Sequence, residues 1–539
     1  PERIFGHLKN SSRALVAHYF FPADSNPMIE LVPSIHTRPD LVRTLAGFYE
    51  QIGKIPVVVK SAYGYAVDPV FEGLCQVAIC GLEKGEGTVK EIDAVAEEVL
   101  GLGVGPFKAL NLTGGNPITA HGLDIMGERL LPWFKTPALL HRMVDTKKAW
   151  ETSKRDERID IDPSIAARLA DRFLGAYFAL TSFIIDTGII GLDDLNLACE
   201  VALVMNAPFK MMNDIGLDRA LILVEKFCAE NPGFPIPDSI RHARLQGGWK
   251  LSDLQVGQDG QTCVITIRRP KVLNALNLEV LEQIRDVLRE VENRADVNSV
   301  VITGQGSKAF VSGADLNMIS SLKTPEDGVR NSQRFQSVLN DIAHYSKPVV
   351  CALNGIAFGG GNELALACTA RIAVKNLPVL FCQPEVKLGF IPGGGATQRL
   401  PRLIGMEKAT EILRTGRTVS GAEALEIGYL DRESQGDLVE DACTLAGDIL
   451  AGDYTPKRLE ERPLNGTPDM KPVEIGNLSR RIDRLLLDCI RIGWTKPLKD
   501  ALCAESEIFG ECMKTKDMYI GLDNFKTNGP KVAANFIHE

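Results

Sequence analysis

Residues 356–363 read Ile-Ala-Phe-Gly-Gly-Gly-Asn-Glu, a step from an apolar strand into an apolar helix that carries one carboxylate. Upstream, Lys347-Pro-Val-Val-Cys-Ala-Leu-Asn-Gly-Ile-Ala-Phe has the continuous apolar run of a buried strand followed by a turn. Downstream, Glu363-Leu-Ala-Leu-Ala-Cys predicts the first turns of a helix buried on nearly every face. An acid in such company must be solvated, paired or used. The three glycines let the backbone approach a ligand closely, and the free N–H groups at the helix start, with the helix dipole, face a developing oxyanion. That layout suits enolate chemistry. Taken alone, however, Gly-Gly-Gly is what a tight turn needs, and a Glu at a helix start is favoured by the dipole.

A second acid changes the weighing. Glu385 lies in Phe381-Cys-Gln-Pro-Glu-Val-Lys-Leu-Gly-Phe-Ile-Pro-Gly-Gly-Gly-Ala-Thr-Gln-Arg-Leu, at a strand end ahead of another glycine-rich turn. Two carboxylates in one dry site can divide proton removal from proton delivery. Further motifs are Arg269-Pro-Lys-Val-Leu-Asn-Ala-Leu, Ala309-Phe-Val-Ser-Gly-Ala-Asp-Leu and Gly416-Arg-Thr-Val-Ser-Gly-Ala-Glu-Ala. Together, and in this order, these segments resemble the crotonase (enoyl-CoA hydratase/isomerase) superfamily over roughly residues 250 to 435.

The resemblance implies that the backbone N–H groups of Ala314 and Gly360 form an oxyanion hole for a thioester carbonyl, and that Glu363 and Glu385 flank the catalytic water. Adding water to a 2-enoyl thioester puts negative charge on the carbonyl oxygen, so two aimed donors favour the transition state over the ground state. The pair of acids points to hydration; family members that isomerise a double bond or cleave a thioester often keep one acid only, and these reactions are the alternatives within the superfamily. The resemblance also implies that Lys271, Ala314, Asp315, Leu316 and Gly360 meet the CoA thioester. Without it, Ala309–Leu316 reads as strand, turn and helix start with Asp315 as a cap, and Lys271 as a solvated loop lysine.

The amino-terminal half carries a repeat. Gly105-Pro-Phe-Lys-Ala-Leu-Asn-Leu-Thr-Gly recurs as Ala207-Pro-Phe-Lys-Met-Met-Asn-Asp-Ile-Gly, each after a helical stretch, Val89–Leu100 and Leu192–Met205. Pro132 to Arg158 reads as a connection between the copies, and Gly247-Gly-Trp-Lys as the boundary with the second half. With Ala17-His-Tyr-Phe-Phe-Pro, Met28-Ile-Glu-Leu-Val-Pro and Gly53-Lys-Ile-Pro-Val-Val-Val-Lys, residues 1 to about 245 resemble the carboxy-terminal, mostly helical part of 3-hydroxyacyl-CoA dehydrogenases. The resemblance implies a His18–Glu30 dyad that accepts the proton of a 3-hydroxyl. Two features depart from it. Gly64-Tyr-Ala-Val-Asp-Pro places Asp68 where the family has an Asn, and an ionised carboxylate cannot donate. No strand followed by G-x-G-x-x-G occurs, so NAD would require a Rossmann domain upstream or in another polypeptide. The half then reads as part of a dehydrogenase or as a scaffold, and the fusion order resembles bifunctional proteins of fatty-acyl or crotonyl-CoA metabolism.

The expected fold is multidomain: a mostly helical, duplicated domain over 1–246 with a short β start, an α/β spiral of ββα turns over 247–455, and a helical tail over 456–539. Leu478, Ile482, Leu485 and Cys489 recur in that tail at helical spacing, suited to core or subunit packing. The chain has 539 residues, a net charge of −9 and 24% charged residues without a basic run, which argues against nucleic acid. Twelve cysteines lack C-x-x-C pairs and eight histidines lack H-E-x-x-H, so reduced thiols and no metal are expected. No apolar run is long enough to span a bilayer. The expectations are therefore an acyl-CoA substrate, no cofactor in the second half, no membrane, a cytoplasmic setting and a homo-oligomer.

Overall fold

The computed structural model describes residues 1–155, 157–464 and 470–539. The chain divides into two compact units, Pro1–Leu251 and Ser252–Glu539.

The first unit opens with three strands. Leu15–Tyr19 pairs antiparallel with Met28–Pro33, which pairs parallel with Ile55–Val58 after the Pro39–Gln51 helix. Helices follow in two matching series, Asp68–Glu83 to Ala138–Thr146 and Pro163–Thr187 to Asp238–Leu245. The match extends to side-chain detail. In the first series Asp93 accepts the N–H groups of Phe107 and Lys108 at 2.9 and 3.1 Å, and in the second Asn196 accepts that of Phe209 at 3.1 Å. The Asn111 side chain bonds both backbone groups of Trp150 at 2.9 and 2.8 Å, and Asn213 does the same with Trp249 at 2.8 and 2.9 Å. Each indole packs on the repeat phenylalanine, Phe107 or Phe209, with centroids 4.7 Å apart.

Three expected boundaries move. Trp249 closes the second copy, so the unit ends after Leu251 rather than at 246/247. Pro132 to Arg158 is part of the first copy, since it holds the Ala138–Thr146 helix and Trp150; Asp156 lies outside the described residues. The second repeat helix ends at Ala202, because Val204 has φ of +53°, a left-handed conformation that β-branched residues rarely adopt. Deleting the clasp amide in Asn213→Ala is expected to cost the first unit about 1–3 kcal/mol by leaving backbone groups unpaired. Urea unfolding followed by tryptophan fluorescence measures it, with Asn111→Ala as the matching variant in the other copy.

In the second unit, strands alternate between two sheets. Ser299–Gly304, Val349–Leu353 and Ala370–Ala373 are parallel neighbours in a six-stranded sheet whose far edge is the antiparallel pair Leu254–Asp259 and Thr262–Ile267. Each is followed by a short strand, Ala309–Val311, Ile356–Phe358 or Phe381–Cys382, in a second parallel sheet. The apolar runs are covered on both faces, as parallel sheets require: Val300, Ile302, Val349, Cys351 and Leu353 join the main core, while Val301, Val350, Ala352 and Ile372 pack beneath the Leu438–Ala451 helix. The tail forms three helices, Arg480–Trp494, Leu498–Cys512 and Lys516–Asn528. Ile482 and Cys489 are fully buried, Leu478 and Leu485 partly so.

Candidate active site

Glu363 sits in the first turn of the Gly360–Ala367 helix, every residue of which is buried. The helix starts where Gly359 adopts φ +48° and ψ −118°, a conformation open to glycine alone, and a Cβ there would lie 2.7 Å from Glu385 Oε1. Tyr429 donates to Asn362 at 2.6 Å from within a stack on Phe381, and Arg371, paired with Asp431 at 3.1 Å, caps the far end of the helix by donating to Ala365 and Cys368 carbonyls. The carboxylate itself is 4% exposed and accepts two backbone N–H groups at Oε1, from Gly394 at 2.7 Å and Ala396 at 3.1 Å.

Glu385 opens a short 3-10 turn, Glu385–Leu388, directly after the Phe381–Cys382 strand. It is 7% exposed, and its Oε2 is buried without a hydrogen-bond partner. Burial raises both carboxyls above the ordinary range. For Glu363 the two N–H groups and Arg399 oppose that rise, whereas Glu385 is raised further, chiefly by the charge of Glu363. The environments thus separate the two acids: both are raised, Glu385 by more, so the ionised form is less disfavoured at Glu363 than at Glu385.

Gly360 lies against the turn that bears Ala314, for a Cβ on it would stand 3.1 Å from Ala314 N. Gly360 N–H precedes any intrahelical acceptor, and Ala314 N–H forms no hydrogen bond among the described residues. Two buried asparagines fix the strand that delivers Ala314: Asn274 and Asn354 each donate to the Ala309 carbonyl, at 3.0 and 3.2 Å. Asp315 caps the Leu316–Ser320 helix by accepting from Asn317 N–H at 3.0 Å, and it pairs with Arg269 at 3.2 Å. Leu316 starts that helix, and Lys271 lies exposed in the Pro270–Val272 turn. The structure therefore gathers Glu363, Glu385, Gly360 and Ala314 closely, with Asp315 occupied as a cap and Lys271 on the surface.

In the first unit His18 and Glu30 are register partners on adjacent strands, with Nδ1 and Oε2 at 2.8 Å. Glu30 is fully buried and also accepts the N–H groups of Ala66 and Val67. Asp68 begins the Asp68–Glu83 helix, where Pro69 is well placed in the first turn. Its Oδ2 lies 3.6 Å from His18 Nε2, so carboxylates flank both ring nitrogens. Burial lowers the imidazole pKa, but the Glu30 hydrogen bond and the charge of Asp68 outweigh it, and the net shift is upward. Asp68→Asn is expected to move the His18 titration to lower pH, read from imidazole resonances by NMR.

Residues 257–456 match the family model for enoyl-CoA hydratase/isomerase. The short-chain-enoyl-CoA hydratase of Clostridium acetobutylicum is 35% identical over 269 residues, covering 50% of this chain and 92% of that protein. The chain belongs to the enoyl-CoA hydratase/isomerase family. The crotonyl-CoA hydratase of Syntrophomonas wolfei is 35% identical over 285 residues, 52% of this chain and 96% of that protein. The fatty acid oxidation complex subunit alpha of Shewanella loihica is 32% identical over 277 residues, but the match spans only 38% of that protein. Residues 64–156 match the carboxy-terminal domain of 3-hydroxyacyl-CoA dehydrogenase, and residues 1–62 match its NAD binding domain.

The last match amends the expectation that the nucleotide-binding part is absent: the three strands around His18 match that domain, not the helical one. The described residues of that region do not by themselves form an NAD site. The sheet has three strands, and no strand runs through G-x-G-x-x-G into a helix, the turn that would cradle a dinucleotide's phosphates. No NAD-dependent step is therefore assigned to His18. In the hydratase/isomerase half, four contributors were invisible to sequence reasoning. Phe335 would meet a Cβ at either Gly360 or Gly394, at 3.1 and 2.9 Å. Tyr429 and Arg371 brace the Glu363 helix, and the buried Arg399 donates to the Gly394 carbonyl at 2.8 Å. Among the described residues no group of His, Cys, Asp and Glu could hold a metal ion, and no helix is long and apolar enough to cross a membrane.

Proposed function

We propose that the second unit adds water across the double bond of 2-enoyl-CoA thioesters, giving 3-hydroxyacyl-CoA. The observation that carries this reading is the pairing of two buried carboxyls in contrasting environments, beside two backbone N–H groups that have no partner. The thioester oxygen accepts from the N–H groups of Ala314 and Gly360. Ionised Glu363 takes a proton from water as the water oxygen bonds to C3, and the displaced π pair becomes an enolate held by those donors. Protonated Glu385 then delivers its proton to C2, so the elements of one water are added and no redox partner is required. A double-bond isomerase needs one acid to shuttle the same proton; the second acid, held protonated by burial and charge, favours hydration over that alternative.

An acyl-CoA substrate, a homo-oligomeric assembly and a cytoplasmic setting belong to the same reading. For the first unit it keeps NAD-dependent oxidation at His18 conditional on a nucleotide-binding domain supplied upstream or by another polypeptide, with a scaffold role as the alternative. Loss of the 2-enoyl absorbance of crotonyl-CoA tests the main claim. Rapid loss is expected; persistence of the absorbance with folded protein contradicts it.

A further inference from the structure

The Leu498–Cys512 helix presents Leu502, Glu505, Ser506 and Phe509 along one face, and that face underlies the Gly393-Gly394-Gly395 loop whose end holds Glu363. A Cβ at Gly393 would lie 3.0 Å from the Phe509 ring, and one at Gly395 3.0 Å from Leu502. Between these contacts sits Glu505, fully buried and far from the reacting atoms in sequence. Its Oε2 accepts the N–H of Thr397 at 3.0 Å and meets the Thr397 hydroxyl in a short hydrogen bond, and its Oε1 accepts from Gln336 Nε2 at 3.0 Å. The same Gln336 nitrogen donates to the Gly393 carbonyl at 3.1 Å, while Ser506 donates to Gln336 Oε1 at 3.0 Å and fixes the amide's orientation. Glu505 thereby grips the loop on both sides of Gly394 and Ala396, the two residues whose N–H groups hold Glu363.

We propose that Glu505 is a positioning residue that holds the Gly393–Ala396 loop so that its two amides aim at the Glu363 carboxylate. The proposal rests on the reading of Glu363 as the base. The groups facing it from neighbouring elements are Glu363, Glu385, Arg399 and Cys489; the Pro325–Ala343 helix contributes only the neutral Gln336, Ser332 and Asn340. Burial first, then the charge of Glu363, pushes Glu505 up to about 8. A protonated Glu505 fits its partners fully, since its O–H can donate to the Thr397 hydroxyl while each oxygen still accepts an N–H. A glutamine cannot do this. Its amide nitrogen would face either Thr397 N–H or Gln336 Nε2, and rotating Gln336 would turn an oxygen against the Gly393 carbonyl.

The test compares Glu505→Gln, Gln336→Met and Glu363→Gln in the full chain, with kcat and KM for crotonyl-CoA measured across pH and folding checked by circular dichroism. For Glu505→Gln and Gln336→Met, kcat is expected to fall about ten-fold with KM nearly unchanged, as displaced catalytic geometry produces. The acidic limb of kcat should also move to higher pH, because Glu363 loses donors that favour its charge. A loss that is uniform at all pH values, or parental kinetics, in a folded variant overturns the proposal. If Glu505→Gln does not fold, Gln336→Met alone decides it by the same criteria. Full activity in Glu363→Gln would sink the reading of the base and this proposal with it, whereas an inactive Glu363→Gln beside parental Glu505→Gln and Gln336→Met would sink this proposal only.

Discussion

Glu363→Gln lowers kcat for crotonyl-CoA by about 10³-fold, in the middle of the range for a lost general base, while KM stays close to the parent value. The amide keeps an oxygen to accept the N–H groups of Gly394 and Ala396, so the loop and the fold are retained; what disappears is the proton acceptor. Glu385→Gln loses a comparable factor for the opposite reason, since an amide cannot deliver a proton to C2. The pH profiles separate the two. In the parent the two limbs of the bell belong to the pair, the acidic limb reporting loss of the ionised base and the alkaline limb loss of the protonated acid. Both limbs lie above the ordinary carboxylate range, because burial raises both groups, and Glu385 is raised more. The residual activity of Glu363→Gln should lose the acidic limb and that of Glu385→Gln the alkaline limb. The opposite assignment of limbs would reverse the roles of the two acids.

Gly394→Ala is expected to lower kcat by about 10²-fold, the cost of displacing a reacting group by about an ångström. A Cβ at this position would stand 2.4 Å from Glu363 Oε2 and 2.9 Å from the Phe335 ring. Both neighbours are locked, Glu363 by two hydrogen bonds and Phe335 within the main core, so the methyl must push the carboxylate away from the water it would activate. Backbone strain contributes little, since Gly394 is not among the residues with positive φ. Steady-state kinetics with a thermal-unfolding control measures the effect. Parental kcat in Gly394→Ala would mean that the observed Glu363 geometry is not the working one.

The sequence made the local part of this site readable. Gly360 and Glu363 share one strand–turn–helix motif, whereas Glu385, 22 residues on, was placed beside them by the family resemblance that its own motif helped to carry. Ala314 became a candidate only through the family resemblance, and the asparagines that aim its strand, Asn274 and Asn354, meet the Ala309 carbonyl from 35 and 45 residues away. Glu505 lies 108 residues from Thr397. In the sequence it is one more polar residue on an amphipathic helix, and only the tertiary packing of the tail shows that this polar residue faces inward. The boundary near Gly247 illustrates the reverse error. Gly-Gly followed by Trp-Lys has the composition of a linker, yet the indole and its backbone complete a repeat whose pattern lies in Asn213, at a distance no local rule covers. The helical duplication itself was visible in Pro-Phe-Lys, because those residues occupy the same first-turn positions in both copies.

The central claim, that two acids of opposite protonation add water to an enoyl thioester, is tested most directly by turning over crotonyl-CoA in water labelled with heavy oxygen and weighing the thioester product. The account predicts 3-hydroxybutyryl-CoA carrying one solvent oxygen at C3, formed by the parent chain and by neither Glu363→Gln nor Glu385→Gln at a comparable rate. A shifted double bond without solvent oxygen, or free CoA with label in the released acid, would contradict it.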